Sequence, residues 1–293
     1  MVRIFIIVCI FCIINCTTVF SQKRDILQES IDNQSYFITD GLSPRGIPID
    51  LNVFDLEDKK NLNKNSVYNK IITCSTKDFG DKWGRPTNVH ETIHVINNAL
   101  SNSRRGYRAF YIGEGKAVWL QEPNIVMDDI LDYIPQILRG YRFPLYFIKQ
   151  KKIWNEVALY PVEEWSAYIG GAECAVDDYL RYKIDPTVFQ STKFKDLTKQ
   201  RSDEVSGSLE FAIYCTALAM AVKYKDSDYW LEEEQFKKLI KYFLVKSEYI
   251  FFKGKDIFPS EKQDELLIKL QKYPESRSIR NFLNKEFDGV FIQ

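Results

Sequence analysis

The chain has 293 residues with 40 basic and 40 acidic side chains, so its formal net charge is zero. That balance excludes the clustered positive excess that nucleic acid binding requires. A globular mix of 45% hydrophobic and 27% charged residues excludes disordered, collagen-like and coiled-coil chains.

The N-terminus reads as a secretory signal peptide: Arg3, an apolar run from Ile4 to Ile14, then Val19 and Ser21 at the small-residue positions of a cleavage site. Residues 1–21 are therefore expected to leave, and residues 22–293 to form one secreted or periplasmic domain. The alternatives are an uncleaved N-terminal anchor or a lipid-modified Cys16, which Asn15 fits poorly. No later segment reads as a membrane span, so no stable insertion is expected after leader removal. Cys9, Cys12 and Cys16 go with the leader. Cys74, Cys174 and Cys215 remain in apolar surroundings, which favours buried thiols over a Cys174–Cys215 bridge.

Alternation in residues 49–56 and 67–73 predicts two strands. Pro86 opens a helix that Ser101-Asn102-Ser103 closes. Two β-rich runs around Gly113-Glu114-Gly115 predict a hairpin over 107–122, whose edge is a candidate site for peptide strand addition. Residues 128–138 read as a short helix, and 143–154 are aromatic and ambiguous. Further helices are expected at 161–183, 208–224, 231–252 and 260–285. Strands early and helices late give an α+β class, with an α/β part over about 22–125 and a helical part over about 126–293.

Both histidines of the chain lie in one pentapeptide, His90-Glu91-Thr92-Ile93-His94. On a helix, positions i and i+4 share a face, so two imidazoles can reach one Zn²⁺. Glu91 is turned about 100° from His90, which suits a general base acting on a water rather than a ligand.

The segment VHETIHVINNAL resembles the active helix of zincin-type zinc metallopeptidases. It departs from the metzincin extension, having Asn97 and Leu100 where Gly and His are wanted, and no third histidine exists. The resemblance therefore implies the gluzincin arrangement, in which a later helix supplies a glutamate, and a zincin-like fold. Among Glu163, Glu164, Glu173, Asp177 and Glu210, Glu164 is the choice. Its helical face carries Ala167 and Gly171, small enough for close approach, and Glu-x-x-Ala is similar to the gluzincin pattern. Glu173 with Asp177 is the runner-up. Glu210, flanked by apolar residues, is a ligand or orienting candidate. Tyr160 and Tyr168 lie one turn either side of Glu164, and Tyr168 is the expected oxyanion donor. Asn97 and Asn98 are candidates to orient the ligands.

The resulting expectation is a secreted zinc metallopeptidase acting on peptide or protein substrates. His90, His94 and Glu164 hold the metal, and Glu91 and Tyr168 are catalytic. The alternatives are an inactive zincin-like binding protein and a zinc hydrolase of a non-peptide amide.

Overall fold

The structure, a computed structural model, describes residues 54–55, 85–102, 104–113, 116–184 and 198–292. The leader, the strand expected at 67–73, and Cys74 lie outside the described residues.

Three strands, β1 (Phe54–Asp55), β2 (Tyr107–Gly113) and β3 (Lys116–Gln121), form an antiparallel sheet in the order β1-β3-β2. Between β1 and β2 in the chain comes helix α1 (Arg85–Ser101). Proline at its second position has no amide to lose there. The hairpin strands pair as expected, and Gly113 ends β2 at φ 103°, a conformation that suits glycine.

The remaining described chain is helical: α2 (Met127–Leu131), α3 (Lys151–Trp154), α4 (Tyr160–Ile184), α5 (Thr198–Lys225), α6 (Ser227–Glu232), α7 (Glu234–Ile257), α8 (Glu261–Lys272) and α9 (Arg277–Glu286). Several boundaries differ from the sequence reading. The helix expected at 128–138 stops at Leu131, and Pro135 precedes a separate short turn at Gln136–Leu138. The ambiguous stretch forms a wide helical turn, Pro144–Lys149, that leads into α3. The single helix expected at 260–285 is two, because Tyr273 before Pro274 is held extended (ψ 140°), as a residue preceding proline prefers.

Helix α5 begins ten residues before the expected Ser208. Its stretch Ser202–Lys225 is long and apolar enough to cross a membrane, which corrects the reading that no later segment is. Its most apolar window is 94% buried inside the protein, so its hydrophobicity serves the core. Residues Leu209, Phe211, Tyr214 and Leu218 are enclosed there among α4, α7 and α9. Trp165 of α4 donates its indole N–H to Ser247 Oγ of α7 at 2.8 Å, which joins two of these helices. Cys174 and Cys215 are both buried free thiols, so the bridge between them is not formed.

Candidate metal centre

Helix α1 is seated by two polar side chains on the edge of β2. Asn97 Oδ1 accepts the Tyr111 amide at 2.7 Å, and its Nδ2 donates to Ser166 Oγ of α4 at 2.8 Å. One turn on, Ser101 Oγ accepts the Ala109 amide at 2.9 Å. These amides lie along the edge of β2, so strand addition at 109–111, raised by the sequence, is blocked by α1. Asn97 thus orients the whole motif helix through strand and helix contacts, and does not touch either imidazole.

The apolar side of α1 packs Ile93, Ile96 and Leu100 with Ala167 of α4 and with β2. A Cβ at Gly170 would overlap Ile93, so glycine there lets α4 approach α1. Gly171, expected to serve that approach, instead meets the Glu204 carboxylate of α5. Lacking a side chain, it leaves room for that carboxylate beside His90.

This packing brings His90, His94 and Glu164 together as a group able to hold a metal. The His90 and His94 Nε2 atoms are 3.0 Å apart. Glu164 Oε2 lies 3.9 Å from the first and 3.5 Å from the second. The other ring nitrogens face carboxylates: His90 Nδ1 is 3.0 Å from Glu204 Oε2, and His94 Nδ1 is 2.7 Å from Glu163 Oε1. A carboxylate only accepts, so each Nδ1 carries a ring proton, and in the neutral ring Nε2 presents a lone pair. Glu164 Oε2 is buried and accepts no hydrogen bond, while Tyr160 donates to Oε1.

With both rings neutral, three acceptors converge with no donor among them, an arrangement suited to a cation. A circle through three points with those separations has a radius of about 2.0 Å, the length of a zinc–nitrogen or zinc–carboxylate bond. The donor set therefore fits a divalent metal of the zinc type. Burial opposes charge on His90, yet the Glu204 carboxylate holds that imidazole above its ordinary value. For His94, burial is again outweighed, by Glu163 and Glu164, and the ring is held well above it, so a proton and a metal ion compete for its Nε2. Burial likewise pushes Glu164 up, but the two imidazoles hold it below the usual carboxylate range.

Exposure sets the direction of approach. The side chains of His90, Glu164 and Glu204 are 8%, 7% and 6% exposed, whereas His94 and Glu163 keep 23% and 17%. The centre opens on the His94 side. Glu91 is half-buried on the same helix.

Tyr168 lays its ring edge against His90, with centroids 4.5 Å apart, and its hydroxyl is 3.1 Å from that of Tyr146. Gly207 of α5 abuts the Tyr168 ring so closely that a Cβ would overlap it, and the Arg142 guanidinium lies 4.8 Å from the ring centre. Burial raises both phenols above their ordinary range, so both keep their protons.

Two other candidates for third ligand, Glu173 and Glu210, have different partners. Glu173 is paired with Lys246 Nζ at 2.9 Å. Glu210 accepts from Arg142 Nη1 at 2.6 Å, from the Arg142 amide at 2.9 Å and from Tyr214 at 3.1 Å, which explains a carboxylate among apolar neighbours. Glu163 orients His94, and Glu204 was not foreseen. The signal for it was present: Glu204, Ser208, Phe211 and Cys215 follow helical spacing, and all are buried. Starting the helix at 208 hid it.

Carboxylates that fix imidazole ligands typically contribute 10- to 100-fold to metal affinity. Glu163→Ala and Glu204→Ala are each expected to weaken zinc binding by about that factor, read by competition with a chromogenic chelator. Unchanged affinity in both would show that the two contacts do not orient the rings.

No protein-family model matches the chain, and comparison with characterised proteins and with solved structures finds no match.

Proposed function

We propose that this protein is a secreted zinc-dependent metallopeptidase with a gluzincin-like centre and a zincin-like fold. The observation that carries the reading is the convergence of His90 Nε2, His94 Nε2 and Glu164 Oε2 on one point, beside an HExxH glutamate. The leader pattern of residues 1–21 supports export.

Bound there, Zn²⁺ supplies Lewis acidity, making a water more acidic and polarising the scissile carbonyl. The protein's own groups do the rest. Glu163 and Glu204 hold the imidazoles with Nδ1 protonated, so both Nε2 lone pairs stay available. Glu91 takes a proton from the attacking water and passes it to the leaving amine. Tyr168, with Tyr146 beside it, is a protonated donor next to His90, suited to the carbonyl oxygen as it gains charge. Asn97 and the small residues of α4 keep the two helices in register.

The test is hydrolysis of an unfolded protein substrate by the purified chain. Cleavage that stops with a chelator and returns on adding zinc is the expected outcome. A zinc-loaded chain that cleaves neither proteins nor peptides would favour the non-cleaving binding protein, or a hydrolase of another amide.

A further inference from the structure

We propose that the outward face of residues 141–153 is a docking surface for anionic lipid. The proposal is independent of the metal reading and rests on burial, spacing and charge.

The wide turn at Pro144–Lys149 and helix α3 expose residues about every fourth position: Tyr141, Leu145 and Ile148 with Lys149, then Lys152 and Ile153. Tyr141 is 75% exposed, Leu145 42%, Ile148 54% and Ile153 66%. Four of the ten exposed large hydrophobic residues among the described residues therefore fall within this one short stretch. The opposite face, Phe143, Tyr146 and Phe147, is buried in the core. A surface helix in water is polar on its outer side; this one sets large apolar side chains among its outer lysines.

Charge selects the occupant. From Arg139 to Glu156 the sequence holds five basic residues and a single acid, Glu156. Arg142 is buried in its pair with Glu210, and Lys151 is paired with Asp128 at 2.5 Å. Lys149 and Lys152 are exposed, and no carboxylate pairs with them among the described residues. Aliphatic side chains alternating with uncompensated ammonium groups match a membrane interface, where the former enter the acyl boundary and the latter reach phosphates. The inner face of this segment carries Tyr146 and Gln150, which contact Tyr168 and Tyr160 beside the metal centre. Docking would hold that centre close to the lipid surface.

The experiment is hydrogen exchange of the full chain, read peptide by peptide, with phosphatidylcholine vesicles and with vesicles that also contain phosphatidylglycerol. A local readout keeps the apolar leader from deciding the result. The amides of 141–156 should gain protection only on the anionic vesicles, and high salt should reverse it. L145S/I148S/I153S should abolish the protection. K149Q/K152Q should weaken binding by about fivefold per lysine without changing the metal content. Unchanged exchange at 141–156 in protein held on anionic vesicles would overturn the proposal. So would protection that appears without lipid as protein concentration rises, which would assign the face to a second copy.

Discussion

Glu91→Gln is expected to keep a full complement of metal and to lose about 10²- to 10⁴-fold in hydrolysis, the usual worth of a positioned general base. The atoms that could hold the metal belong to His90, His94 and Glu164, and Glu91 is not among them. Its position on α1 turns it about 100° away from His90, beside the centre rather than inside the ligand triangle. Glutamine has the same shape, so the packing of α1 on β2 and α4 should persist, but it cannot take a proton from water. Metal content by elemental analysis and turnover of a protein substrate, measured on one preparation, separate the two roles. A Gln variant with stoichiometric zinc and undiminished activity would contradict the mechanism.

Lys246→Met is expected to destabilise the fold by about 3–5 kcal/mol, the cost of stripping one partner from a buried ion pair. The Lys246 and Glu173 side chains are only 4% and 3% exposed. Lys246 Nζ also donates to the Ile112 carbonyl at 3.2 Å, which the Tyr242 hydroxyl reaches too. Burial opposes the ammonium charge, but the Glu173 carboxylate holds it above its ordinary value. The pair therefore ties α7 and α4 to the end of β2, and the variant leaves Glu173 charged in the core. Replacing both, as in K246M/E173L, should recover much of the loss, since an apolar pair of similar size removes the stranded charge. Urea unfolding of the two variants measures this. A Lys246→Met protein within about 1 kcal/mol of the parent would mean the pair does not carry its expected weight.

The grouping of His90, His94 and Glu164 was legible in the sequence because its signal is local. Two histidines four apart on a helix specify their own geometry, and Glu164 followed from a small-residue face on a second helix. The carboxylates that orient the imidazoles were harder to find. Glu163 was visible only as a candidate ligand, and Glu204 lies 114 positions from His90. Contacts of that range depend on how α4, α5 and α1 pack, which no local pattern fixes. The Lys246–Glu173 pair was hidden for the same reason, and Glu173 read as a possible ligand because charge alone does not reveal a partner. Helix ends failed where proline acted on its neighbour, at Tyr273, and where a polar start masked a continuing helix, at Thr198–Gly207. The mostly helical C-terminal half and the hairpin were legible because periodicity and turn residues agree there.

His90 Nε2, His94 Nε2 and Glu164 Oε2 meet at a point that could hold one divalent cation. Native mass spectrometry of the chain equilibrated with zinc tests this most directly, with Glu164→Ala and His94→Ala compared alongside. One tightly held ion per chain, lost or greatly weakened in both variants while their circular dichroism stays that of the parent, is the predicted result. A parent chain that takes up no ion, or variants that hold it as firmly as the parent, would show that these three side chains are not a metal site.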